Sequence, residues 1–118
     1  KRATLRLYDE QPFSAGATDA RAMGLFRVLT PWSGEVTWNT APQTAPEPVS
    51  SIAFCTDAGW VEADITALVA DWLGDPQGNQ GLMAKFEREN REQWVQTQFW
   101  GPLCPDDAKR PRIVFECE

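Results

Sequence analysis

Few side chains in this 118-residue sequence are equipped for covalent or acid–base chemistry. There is no histidine, the residue best suited to moving protons near neutral pH. Its absence removes Ser-His and Cys-His nucleophile pairs and zinc sites built on imidazole. Carboxylates are plentiful, 17 in all, but no spacing singles out a pair for glycosidase-type work. The three cysteines, Cys55, Cys104 and Cys117, show no C-x-x-C spacing, which speaks against thiol redox chemistry and zinc knuckles. A bridge between Cys104 and Cys117 would close a short loop and contribute on the order of 3 kcal/mol. The alternative is three free, mostly buried thiols. Asp57, Asp64, Asp71, Asp75, Asp106 and Asp107 offer oxygen donors for calcium without a recognisable loop spacing. Asp64 is more simply a helix cap and Asp71 a solvated helix residue, so no metal and no other cofactor is expected. The chemistry leans against an enzyme.

What remains is recognition. Six tryptophans in so short a chain invite a sugar-binding reading, since aromatic faces stack on pyranose rings. Trp94 and Trp100 stand near Arg88, Arg91, Gln96 and Gln98, and are the better candidates for an exposed platform. Arg88 and Arg91 would add bidentate donors for carboxylate-bearing sugars such as uronates. The competing reading is a hairpin tip whose charges neutralise one another. Trp60 opens a strand and is undecided; Trp72 falls on the apolar face of a helix. Eleven basic against 17 acidic residues give a net charge of −6 with no basic stripe, which excludes ordinary nucleic-acid binding. The same charge repels acidic polysaccharides unless a local patch or a cation intervenes.

The elements that would position these residues are mostly short strands. With 42% apolar residues the chain can bury a core as one domain. Ala3, Leu5 and Leu7 alternate with Thr4, Arg6 and Tyr8, the pattern of a half-buried strand. Further strands are expected over Ala22–Leu29, Ile52–Cys55, Trp60–Asp64, Leu82–Phe86, Val95–Trp100 and Arg112–Cys117, with a β-like segment at Val36–Trp38. Thr40–Ser51, with Pro42, Pro46 and Pro48, reads as an extended surface loop. Ile65, Leu68, Val69 and Trp72 break this rhythm at i, i+3, i+4 and i+7, the stripe of one short helix. Asp64 or Thr66 can cap it, and Gly74 and Pro76 stop it. The sum is an all-β, jelly-roll-like sandwich of antiparallel strands with a single short α-helix. No run approaches the roughly 18 apolar residues that cross a bilayer. No signal peptide stands at the start, and Lys1 rather than Met comes first, so the chain reads as a processed product or a cut-out piece.

Four segments together resemble a known family. They are Ala3-Thr4-Leu5-Arg6-Leu7-Tyr8; Trp32-Ser33 with Val36-Thr37-Trp38-Asn39 and Pro42; Asp64-Ile65-Thr66 with Val69, Trp72 and Asn79-Gln80-Gly81-Leu82; and Arg110-Pro111-Arg112-Ile113. In this order they are similar to the DNRLRE domains, to which the carbohydrate-binding modules of family 96 belong. The family's S-x-E after the penultimate strand is replaced by Phe99-Trp100-Gly101-Pro102. Family members also carry several strands before the first of these segments, so the chain is expected to be the C-terminal two-thirds of a larger domain. The resemblance implies a non-catalytic, extracellular module that binds a polysaccharide. The alternative it leaves open is an assembly subunit, of a surface structure or filament, whose sheet is completed by a strand from another chain or by self-assembly. It also implies that Trp32 and Trp38 pin their loop to the core.

Overall fold

Strand β1, Arg2–Gln11, is paired along both of its edges. The computed structural model describes residues 1–11, 22–53, 58–86 and 98–117. On one side β1 runs antiparallel to β4, Gly59–Asp64, from Thr4 opposite Asp64 to Asp9 opposite Gly59. Its other edge is shared by two strands. The first half pairs with β7, Arg112–Glu116, and the second half with the short β6, Gln98–Phe99, across a bulge between Asp9 and Gln11. The second sheet is centred on β2, Ala22–Arg27, flanked by β3, Ser50–Ala53, and β5, Leu82–Phe86, again antiparallel throughout. Two antiparallel sheets and one short helix make the all-β sandwich that the alternation predicts.

Successive strand residues face opposite ways, so each strand divides its sequence between core and surface. From β1 the core takes Ala3 and Leu5, with Leu7 packed against them; β4 gives Val61 and Ala63; β2 gives Met23 and Leu25; β3 gives Ile52. Leu25 is fully buried, and Ile52 and Leu68 are 1% exposed. Helix α1, Thr66–Gly74, closes one end: Leu68 is buried, and Val69 and Trp72 pack against the cluster as the helical stripe requires.

The helix start is tied to β1 by a small polar network. The Asp64 carboxylate accepts from the Thr66 backbone N–H at 2.9 Å and from its hydroxyl at 2.6 Å. Thr66 Oγ1 in turn accepts the Ala3 N–H at 3.0 Å, and the Ile65 N–H donates to the Ala3 carbonyl at 2.9 Å. These hydrogen bonds hold the Asp64 carboxyl below its ordinary pKa of 3.8. The helix ends at Gly74 ahead of a 3-10 turn, Pro76–Gly78, where Pro76 blocks its continuation.

Two expectations need correction. Residues 36–38 are not a strand: Trp38–Thr40 is a 3-10 turn, closed by the Thr37 N–H on Thr40 Oγ1 at 2.8 Å. The proline-rich stretch is also more than a surface loop. Its backbone runs beside β2, with Leu29 N–H on Gln43 O, Ala45 N–H on Arg27 O and Val49 N–H on Leu25 O. Pro46 and Pro48 have no N–H to give, so the ladder breaks there and resumes as β3.

Leu25→Ala, which hollows the centre of the core, is expected to lower unfolding stability by about 2–5 kcal/mol in a denaturant titration. Asp64→Ala should destabilise the fold at neutral pH. Because folding lowers the Asp64 pKa, its contribution is present above pH 3.8 and lost as the pH falls through the folded value. Unfolding curves of the two proteins should therefore converge below that pH.

Candidate functional site

The outward face of β1 carries Arg6, Tyr8 and Glu10, and the neighbouring strands build on them. Register places Tyr8 directly opposite Trp60, and Arg6 between Glu62 on β4 and Arg112 on β7. The Trp60 indole leans across β1. Its ring centroid is 4.5 Å from the Arg6 guanidinium carbon and 5.1 Å from that of Arg112, and Tyr8 meets it edge-on at 5.3 Å. Two opposed arginines would ordinarily repel. Here the indole face lies between them in charge terms, each cation–π contact at such a site contributing about 0.5–1 kcal/mol.

The segment after β6 completes this face. The Trp100 N–H donates to Tyr8 O at 3.0 Å, and its indole Nε1 donates to Glu10 Oε2 at 2.9 Å. Lys109 lies 4.9 Å over the Tyr8 ring, with its ammonium 3.6 Å from the same Glu10 oxygen. A 3-10 turn, Asp107–Lys109, sets that position and is capped by the Asp106 carboxylate on the Ala108 N–H. Arg112 Nη2 donates to the Asp107 and Ala108 carbonyls, both at 3.0 Å, and Arg110 Nε donates to Cys104 O at 2.8 Å. Three aromatic rings and three cations, Arg6, Lys109 and Arg112, thus converge on one sheet face, with Arg110 paired to the turn that carries Lys109. Their carboxylate partners are exposed: Glu62 sits 2.8 Å from Arg6 Nε, and Asp107 2.8 Å from Arg110 Nη1. Surface ion pairs of this kind contribute about 0–1 kcal/mol each, so their partners can be exchanged at little cost.

Of the binding residues expected from sequence, Trp100 belongs to this face, while Trp94, Arg88 and Arg91 lie outside the described residues. Arg6, Tyr8, Lys109 and Arg112 are residues that sequence reasoning missed, and Trp60, left undecided there, joins them. The signal for the first two was present: the outward positions of β1 are cationic and aromatic, where small polar residues would have sufficed. Trp72 packs against the core as its helical position predicts. Trp32 pins its loop by donating to Gln80 O at 2.6 Å, against the turn where Gly81 adopts a φ of +89°. Trp38 does not pin it; the ring is 87% exposed.

Cys104 and Cys117 are free thiols, the first buried and the second exposed, and the bridge considered from sequence is not formed. The register gives the reason. Cys117 follows Glu116, opposite Arg2, whereas Cys104 follows the turn out of β6, which pairs with Asp9 and Gln11 at the far end of β1. A disulfide needs Cα atoms within about 7 Å, and strand residues rise about 3.3 Å each. The aspartates are engaged one by one: Asp71 with Arg27, Asp106 with its turn, Asp107 with Arg110. Among the described residues, no three His, Cys, Asp or Glu side chains gather to hold a metal.

The fold is thus a two-sheet sandwich whose outer sheet face gathers aromatic and cationic side chains. The sequence model of carbohydrate-binding module family 96 matches residues 1–98, and the chain belongs to that family. The match takes in Arg6, Tyr8 and Trp60 and ends before Trp100, Lys109 and Arg112; the Arg110–Ile113 segment lies beyond it. No curated protein and no solved structure matches the chain.

Native thiol labelling followed by peptide mapping should modify Cys117 quickly and Cys104 only on unfolding. Equal labelling of both in the folded protein would contradict this placement.

Proposed function

We propose that this chain is a non-catalytic, extracellular module that holds an acidic polysaccharide, of the uronate-containing type, against the outer face of β1, β4 and β7. The observation that carries this reading is the convergence of Arg6, Lys109 and Arg112 on Tyr8, Trp60 and Trp100. Aromatic rings supply apolar faces for sugar rings. Guanidinium groups supply paired donors for sugar carboxylates; that of Arg6 now meets the exposed Glu62, and that of Arg112 is oriented by the Asp107 and Ala108 carbonyls. Family membership supports a carbohydrate ligand, and the cations support an acidic one. Among the described residues, no helix is long and apolar enough to cross a membrane.

Affinity electrophoresis in gels containing a polyuronate or a neutral glucan tests this. The protein should be retarded by the polyuronate, less so as salt rises. Replacing both Arg6 and Arg112 by Ala should weaken binding by about tenfold or more, since charged hydrogen bonds contribute about 1.5–3 kcal/mol. Retardation that is lost in Trp94→Ala but kept in the arginine variant would move the site to the segment carrying Arg88 and Arg91. No retardation by any polysaccharide would sink the reading.

A further inference from the structure

Strand β7 stands at an edge, and among the described residues no strand pairs with its far side. Register sets Ile113 opposite Leu5 and Phe115 opposite Ala3, so both point to the core side of their sheet. Their partners are buried, at 9% and 2%, yet Ile113 is 39% exposed and Phe115 61%. Among the described residues, the second sheet does not reach over β7. Edge strands are usually guarded by proline, lysine or an inward charge. The other sheet has such guards, Pro46 and Pro48 ahead of β3 and Lys85 on β5; on β7 they stand only at the ends, Pro111 ahead of the strand with Arg112 and Glu116 at its termini, and the three residues between are apolar.

That pentad is its own complement. Laid antiparallel on a second copy about Val114, it sets Arg112 against the partner's Glu116, Ile113 against the partner's Phe115, and Val114 against itself. Charges meet opposite charges at both ends, and a β-branched residue meets an aromatic one on the uncovered face. A slip of one residue would turn the apolar pair to the wrong face, and a slip of two would break the Ile113–Phe115 pair, exchanging the Arg112–Glu116 pairs for Arg110–Glu116 or Arg112–Glu118. We propose that β7 pairs antiparallel with β7 of a second copy, giving an isologous two-fold dimer in which the β1 sheets of both copies become one. Directly opposed residues share a face, so the two Arg6–Trp60–Arg112 clusters stand on the same side of that sheet. This corollary alone rests on the glycan reading, for which it would provide two sites per particle.

Sedimentation velocity from the low to the high micromolar range tests the dimer. The wild-type chain should move toward a dimer with concentration. Arg112→Glu and Glu116→Arg each set like charges against each other, and should each weaken association at least tenfold. Mixing the two variants should restore a heterodimer, because each then supplies the sign that the other lacks. Phe115→Lys should give a monomer that unfolds cooperatively and still enters polyuronate gels with retardation. A wild-type chain that stays monomeric overturns the proposal. So does a dimer that the charge variants leave intact, and a mixture that fails to reassociate overturns the register. Gel retardation is read separately on the same samples, so loss of the dimer and loss of glycan binding are distinguishable.

Discussion

The double pairing of β1 is the constraint on which the rest of this molecule depends. Its odd residues, Ala3, Leu5 and Leu7, face the second sheet, and its even residues, Arg6, Tyr8 and Glu10, face water. Because the side-chain period is two, a one-residue change of register would exchange these sets. Core and candidate site are therefore specified together. Pairing with β4 sets Trp60 beside Tyr8, pairing with β7 sets Arg112 beside Arg6, and pairing with β6 delivers Trp100 to Glu10. Among the described residues, no other strand has three partners.

The remaining connections are held by backbone chemistry rather than by apolar burial. Trp32 is about half exposed, yet its indole N–H fixes the Gln80 carbonyl. The neighbouring Gly81 turns at positive φ, accepts the Val28 N–H and feeds β5. The stretch between the sheets' strands follows β2 until two prolines interrupt it. That interruption also protects the edge, because a strand lacking N–H donors is a poor template for another chain. At β7 the one proline, Pro111, stands ahead of the strand, and the N–H groups within it remain.

Much of the fold was legible in the sequence, because alternation over β1, β2, β4, β5 and β7 is strong and the helical stripe from Ile65 to Trp72 is unambiguous. Two features were not. A proline-rich segment reads as a loop even when it runs beside a strand, since pattern rules see the missing donors and not the N–H and carbonyl groups between the prolines. Residues 36–38 alternate like a strand, but the Thr37–Thr40 hydrogen bonds close a turn there. The site was less legible than the fold. Trp100 could be picked out as an aromatic among polar neighbours, whereas Arg6, Trp60, Lys109 and Arg112 are dispersed over more than a hundred positions. They become a site only through register, which local pattern does not encode. The 104–117 disulfide failed for the same reason: short separation along the chain is not proximity when a strand runs between the two ends.

The net charge of −6 first argues against an acidic ligand, and the sheet face shows why a total is a poor guide. At physiological salt, charges more than about 8 Å apart are largely screened, so a ligand on this face responds to Arg6, Lys109 and Arg112 before it responds to distant carboxylates. The nearby carboxylates, Glu10 and Glu62, already neutralise those cations in part. That arrangement keeps the free face from repelling itself. A sugar carboxylate that replaces one of them gives up a contact of little net value and gains one of similar charge. Coulomb attraction alone would therefore give the face scant preference for acidic sugars over its own side chains. On the glycan reading, the preference has to come from geometry: a ring stacked on an indole brings its carboxylate to a guanidinium already held in place by the Asp107 and Ala108 carbonyls. Such preorganisation reduces the entropy lost on binding, and neither the aromatic rings nor the arginines supply it alone.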